Sequence, residues 1–142
     1  MINTYIKDIS KALAQGHAAL MAGAGFSKNA KKITATDKKF LDWKELSDLL
    51  YSSLYGEEGG PGKEYCSSLR LAQELETISG RPILDSILKD AAPDSDYAPT
   101  ELYTSLMDLP WTDVFTTNYD TLLERAADTV ASRRYNVVAA QE

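Results

Sequence analysis

The sequence has one cysteine and one histidine among its 142 residues. A lone thiol, Cys66, cannot close a disulfide within the chain and cannot build a zinc site alone. Basic residues are also few, because 15 Lys and Arg stand against 21 Asp and Glu, giving a net charge of −6. This balance argues against direct nucleic-acid binding, which needs clustered basic side chains.

Long apolar runs are missing as well. No segment approaches the roughly 20 apolar residues that span a bilayer. The first eight residues are polar and lack the apolar core of a signal peptide. The sequence therefore predicts a soluble, cytoplasmic protein that does not contact a membrane.

The residues that are present predict an α/β fold within one modest domain. Apolar periodicity and capping signals predict helices over residues 3–15, 42–54, 63–79, 82–90, 100–109 and 121–132. Apolar runs rich in β-branched or small residues predict strands over residues 18–22, 111–117 and 135–139, the first of them buried on both faces. Residues 28–40 are lysine-rich and predict a loop. Three strands make a small sheet, so we expect a fragment of something longer.

Two segments carry most of the functional information. Residues 21–27 read Met-Ala-Gly-Ala-Gly-Phe-Ser, a strand running into a glycine turn with a hydroxyl at its end. Residues 116–120 read Thr-Thr-Asn-Tyr-Asp and follow the apolar pair Val114 and Phe115. Ligands of open α/β sheets bind outside the carboxyl ends of the strands, so these two strand ends predict a nucleotide site.

The glycine turn has a direct reading as a phosphate site. Gly23 and Gly25 permit a tight turn and a close approach of the backbone to a pyrophosphate, and Ser27 adds a hydroxyl donor. The full dinucleotide fingerprint requires a third glycine, whereas position 28 is lysine. A strand-to-loop bend that binds no ligand therefore stays open as an alternative.

The polar residues of the second segment have two readings. The Asn118 amide can hold a water molecule or a ribose hydroxyl, and the Asp120 carboxylate can accept a hydrogen bond from a carboxamide such as that of nicotinamide. Alternatively, the same residues cap the helix that begins near Thr121. The two roles are compatible.

At these residues the chain resembles the sirtuin-like family, and more closely its NAD+-hydrolysing bacterial branch than its deacylases. The matching segments are residues 23–27, 43–46 (Trp-Lys-Glu-Leu), 109–111 (Leu-Pro-Trp) and 116–124. The resemblance implies that residues 1–142 are the N-terminal portion of a sirtuin-like NAD-binding domain. This would be a Rossmann-like parallel sheet with an inserted helical module over about residues 42–109.

The resemblance also implies a set of contacts with NAD+, here the substrate. Asn118 is the predicted catalytic residue, orienting the ribose and the attacking water, while Tyr119 and Asp120 meet the nicotinamide carboxamide and Trp43 covers the nicotinamide side. Lys44 stands where many deacylases have arginine. The complete predicted cofactor-binding set is Gly23, Ala24, Gly25, Phe26, Ser27, Trp43, Thr117, Asn118, Tyr119 and Asp120, with no metal ligand.

One feature of the family pattern is missing. The catalytic histidine of the family lies downstream of the Asn strand, and the sequence has no histidine there. His17 precedes the glycine turn, so we expect it to be a structural or surface residue and the general base to come from beyond residue 142. The isolated chain is therefore expected to bind NAD+ weakly and not to hydrolyse it.

Three functions follow as hypotheses. The first is an NAD+ hydrolase that releases nicotinamide and ADP-ribose, and the resemblance implies an effector of bacterial anti-phage defence by NAD+ depletion. The second is an NAD-dependent protein deacylase. The third is a non-catalytic module whose NAD+ binding controls assembly. The expected partners are NAD+ and a second copy of the chain, a C-terminal sensor domain or a partner subunit.

Overall fold

A computed structural model describes residues 2–56, 59–63, 66–131 and 135–138. The elements in these ranges are α1 (Ile2–Ala14), β1 (Ala19–Ala22), α2 (Ala24–Ser27), β2 (Lys31–Lys32), α3 (Trp43–Tyr55), α4 (Ser68–Ser79), α5 (Arg81–Ala91), β3 (Tyr97–Ala98), α6 (Glu101–Asp108), β4 (Asp113–Thr116) and α7 (Leu122–Thr129), with a 3-10 turn (Asp94–Asp96) before β3. The fold is therefore mixed α/β. Among the described residues, no helix combines the length and apolar character needed to cross a membrane.

The chain divides into two compact units. The first is formed by the residues up to Thr34 and those from Ser95 onward, and the second by Ala35–Asp94. The predicted helical insertion, about residues 42–109, covers most of the second unit and extends over α6, which the structure assigns to the first unit.

The first unit contains a small parallel sheet. Strands β1 and β4 pair in parallel, with Ala19 opposite Asp113 and Ala22 opposite Thr116. Since parallel strands point the same way, their carboxyl ends meet at one edge of the sheet. This pairing brings the glycine turn and the Asn118 segment together.

Helices α6 and α7 supply most of the buried apolar residues of this unit. The buried side chains are Ala22, Tyr97, Tyr103, Met107, Leu122, Leu123, Ala126 and Ala127. In α7 the four buried residues recur at helical spacing, Leu122 and Leu123 followed by Ala126 and Ala127, so that one side of the helix faces the core.

The second unit is helical. Helix α3 begins with a capping box, in which the Asp42 side chain accepts hydrogen bonds from the Lys44 and Glu45 backbone N–H groups and Glu45 accepts from the Asp42 N–H. Such a cap contributes about 1 kcal/mol. Pro82 occupies the first turn of α5, where a missing N–H costs no helical bond. The core of the unit consists of Leu46, Leu50, Leu71, Leu75, Leu84 and Ala91.

Several predictions require correction. Strand β1 is not buried on both faces, since Met21 is 64% exposed and only Ala22 is buried. The predicted loop over residues 28–40 contains β2, which pairs antiparallel with β3. Residues 135–138 form no strand, and position 139 lies outside the described residues. The helix predicted from residue 63 begins at Ser68, capped by Ser67.

Candidate functional site

The candidate site is built where β1 and β4 end. After Ala22, the chain turns through Gly23 into the single turn α2, while after Thr116 it continues into Thr117 and Asn118. The register that sets Ala22 opposite Thr116 fixes the spacing of these two chain segments. Residues about 90 positions apart in the sequence can therefore share hydrogen bonds.

A continuous hydrogen-bonded chain joins the two segments. The Asn118 Nδ2 group donates to Ser27 Oγ at 3.0 Å, and the Ser27 hydroxyl donates to Asp120 Oδ2 at 2.6 Å. Asp120 Oδ1 in turn accepts from the Leu122 backbone N–H at 3.2 Å, at the start of α7. The orientation of Asn118 is thus set by α7 through two intervening side chains.

Asn118 is held at two further points. Its Nδ2 group also donates to the Gly23 carbonyl oxygen at 3.3 Å, and its backbone N–H donates to Thr116 Oγ1 at 3.0 Å. Its Oδ1 atom is buried and accepts no hydrogen bond from the part of the chain that the structure describes. Because buried polar atoms are nearly always paired, this oxygen is a candidate acceptor for a ligand or an ordered water.

Ser27 and Asp120 are buried, with exposed fractions of 2% and 7%. The Ser27 proton is donated to Asp120, and each Asp120 carboxylate oxygen accepts a hydrogen bond from the protein. In this geometry both residues support the turn and orient Asn118. Their predicted contacts with phosphate and with the nicotinamide carboxamide stay predictions.

The two glycines leave room at the turn. A Cβ atom built on Gly23 or on Gly25 would meet no heavy atom within 4 Å outside its local backbone. Gly23 has φ −118°, which any residue adopts. Glycine is therefore not required at either position to avoid a clash with other parts of the protein, and at Gly23 it is not required by the backbone conformation. The lack of a side chain at both positions leaves open space beside the turn, where a ligand can bind.

Tyr103 on α6 contributes to the site, and no pattern in the sequence predicted this role. Its hydroxyl donates to the Phe26 carbonyl oxygen at 2.9 Å, and its ring lies against the Phe26 ring with centroids 4.6 Å apart. Burial, reinforced by the negative charge of Asp120, raises the pKa of the Tyr103 phenol well above its usual value of 10. The neutral phenol thus anchors the glycine turn.

The remaining predicted residues occupy varied environments. Ala24 and Phe26 are half-buried, and Thr117 is exposed, as is Tyr119 at 70%. Trp43 begins α3 in the second unit, with 47% of its surface exposed, so its contact with nicotinamide stays a prediction. His17 is exposed and precedes β1, at the opposite end of that strand from the glycine turn.

In the ranges that the structure describes, no three His, Cys, Asp or Glu side chains lie close enough together to hold a metal ion. What the geometry offers is an oriented carboxamide beside an open glycine turn. Such an arrangement can hold a water molecule or a hydroxyl group against an anionic ligand.

Comparison with known proteins adds no assignment to this geometry. No protein-family model matches the sequence, and no curated protein matches it significantly.

Proposed function

We propose that this chain binds NAD+ at the joined ends of β1 and β4 and serves an NAD+ glycohydrolase reaction in a sirtuin-like, Rossmann-type domain. The observation that carries the proposal is the hydrogen bonding of the Asn118 side chain. Its Nδ2 group is anchored by Ser27 and Gly23, while its buried Oδ1 atom has no partner among the described residues.

The unpaired Oδ1 atom determines which role Asn118 can have in the reaction. A carboxamide oxygen accepts hydrogen bonds but does not take up protons near neutral pH, so Asn118 orients a hydroxyl group or a water molecule and is not the general base. Because its Nδ2 group is hydrogen-bonded to Ser27 and to Gly23, the Asn118 side chain has little rotational freedom. Such preorganisation lowers the barrier because no reorientation is needed during the reaction.

The reaction needs few protein groups. The bond between C1′ of the ribose and the nicotinamide nitrogen breaks, and its electron pair leaves with nicotinamide. The oxocarbenium-like C1′ then forms a bond with the oxygen of a water molecule, which loses a proton to a base or to bulk water. In this proposal Asn118 orients the ribose and that water, and the backbone around Gly23 and Gly25 receives the pyrophosphate.

The experiment uses a protein that contains this chain together with the general base expected beyond residue 142. It is incubated with NAD+, with and without an acetyl-lysine peptide, and nicotinamide and ADP-ribose are measured by chromatography. Release of both products without peptide would support the hydrolase. Release only with peptide would replace it with a deacylase, and binding without release would leave a non-catalytic NAD+ module. Failure to bind NAD+ in a calorimetric titration would overturn the proposal.

The cellular part of the proposal is NAD+ depletion during anti-phage defence. Its test is the NAD+ content of bacteria that express the protein, measured before and after phage infection, beside cells that express Asn118→Ala. Equal NAD+ levels in the two strains after infection would contradict this role.

A further inference from the structure

A cavity lies in the first unit, and none of its described lining residues belongs to the glycine turn. Its volume is about 360 Å³. This lies at the lower end of the range for small-molecule sites. Its walls come from α6, β4, α7 and residues 135–138, and most of the side chains are apolar, among them Met107, Val114, Leu123, Ala127 and Val137.

Among the described residues that line this cavity, Glu124 is the one with a charged side chain. Glu124 projects from α7, and its Oε2 atom is buried and accepts no hydrogen bond within the described ranges. The two neighbouring hydroxyl groups do not satisfy it. Tyr135 donates to the Leu109 carbonyl oxygen at 2.7 Å, and the Thr116 hydroxyl, whose Oγ1 accepts the backbone N–H of Asn118, makes no hydrogen bond to Glu124 Oε2.

A carboxylate oxygen buried without a donor is unfavourable, because it has lost hydration and gained no replacement. In an apolar cavity the compensating group must bring its own N–H bonds and, ideally, a positive charge. The apolar walls require that the rest of the ligand be hydrophobic.

We infer that this cavity binds a small organic cation, an amine or amidine on an apolar body, with Glu124 accepting its N–H groups. Asn118 does not line this cavity, and the inference does not depend on the proposed NAD+ chemistry. The two sites share Thr116, which lines the cavity and holds the Asn118 backbone.

Benzamidine is a suitable probe, since it joins a planar amidinium to a phenyl ring. Titration of the full isotope-labelled chain should shift the NMR signals of Val114, Thr116, Leu123 and Ala127, with a dissociation constant on the order of 1 mM, as expected for a ligand of this size. Benzamide, the neutral analogue, should bind at least about tenfold more weakly because it forms no charge-assisted hydrogen bond.

Glu124→Gln is the decisive variant, because it keeps the shape of the side chain and removes its charge. We expect benzamidine affinity to fall at least about tenfold. Glu101→Gln, the same change at an exposed position of α6 outside the cavity, should retain wild-type affinity. Equal benzamidine binding by wild type and Glu124→Gln, equal binding of benzamide, or no shift at the four lining residues would each overturn the inference.

Discussion

The Ser27 hydroxyl lies 2.6 Å from Asp120 Oδ2, although 93 positions separate the two residues in the sequence. This contact links the glycine turn to Asp120, which accepts a hydrogen bond from the Leu122 N–H at the start of α7. The Asn118 amide donates a hydrogen bond to the same Ser27 Oγ atom. The turn and the Asn strand are therefore one hydrogen-bonded unit.

Ser27→Ala should lower the free energy of unfolding by about 2 kcal/mol, because a buried carboxylate oxygen loses its donor. Urea denaturation followed by circular dichroism measures this change. Ser53→Ala is the matched control. Its exposed hydroxyl donates to the Leu49 carbonyl oxygen of its own helix. That change should stay within about 0.5 kcal/mol. Equal effects of the two substitutions would contradict the structural role of Ser27.

In a protein that also contains the general base, Asn118→Ala should reduce kcat/KM for NAD+ hydrolysis by at least about 100-fold, as the loss of a positioned polar group commonly does. Two hydrogen bonds from Nδ2 also disappear, so unfolding should become easier by about 1 kcal/mol without loss of the fold. Steady-state kinetics and urea denaturation measure the two effects. Asn29→Ala removes an exposed amide that donates to the Phe26 carbonyl oxygen on the same turn. Its rate should match the wild type, and an unchanged rate in Asn118→Ala would refute the assignment.

Gly25→Val should weaken NAD+ binding by at least about tenfold, because a branched side chain would fill the space beside the turn that a pyrophosphate needs. The fold should survive, since a Cβ at this position meets nothing within 4 Å. Calorimetric titration and thermal unfolding separate these effects. Unchanged NAD+ affinity would show that the glycine turn is not the phosphate site.

Gly60→Ala is the control for Gly25→Val, because it should lower stability and leave NAD+ affinity unchanged. Gly60 has φ +106°, and a Cβ there would come within 2.5 Å of the Tyr55 ring. The substitution should destabilise the protein by about 1–2 kcal/mol because an L side chain is strained in that backbone region. It adds no bulk at the glycine turn, so the affinity of the folded protein for NAD+ should not change.

Stability should fall in alkaline solution. The pKa of Tyr103 is raised by burial and then by the charge of Asp120, while a hydrogen bond to Glu74 is the main cause that raises the pKa of Tyr55 to about 12. Above about pH 10, the unfolded chain releases phenolic protons that the folded protein retains. The folded state then binds more protons, so the free energy of unfolding decreases as pH rises.

Tyr103→Phe isolates the larger of these contributions. Below about pH 10 it should cost about 1 kcal/mol, through loss of the hydrogen bond to the Phe26 carbonyl oxygen. Above that pH, the dependence of stability on pH should become shallower than in the wild type. Urea denaturation at several pH values from about 8 to about 11 measures the slope. An unchanged slope would mean that the Tyr103 phenol is not protected from ionisation.

The sequence by itself determined the features that depend on neighbouring residues. The cap at Asp42 and the proline at position 82 marked the starts of α3 and α5, because capping and proline geometry act within one helical turn. The strands β1 and β4 were also predicted, although longer than observed. Their polar carboxyl ends pointed correctly to Asn118 and the glycine turn as neighbours, since parallel strands end at the same edge.

Only the tertiary structure decided which side chains meet. Composition and periodicity do not reveal that Ser27 pairs with Asp120, that Tyr103 reaches the Phe26 carbonyl oxygen, or that β2 finds β3, because each contact joins residues far apart in the chain. The sequence alone also did not reveal how exposed each side chain is. An apolar run such as Ala19–Ala22 predicts burial from its composition, whereas the actual burial depends on which elements pack against it. Local patterns fix local backbone geometry, while distant contacts depend on how the whole chain arranges its buried surface.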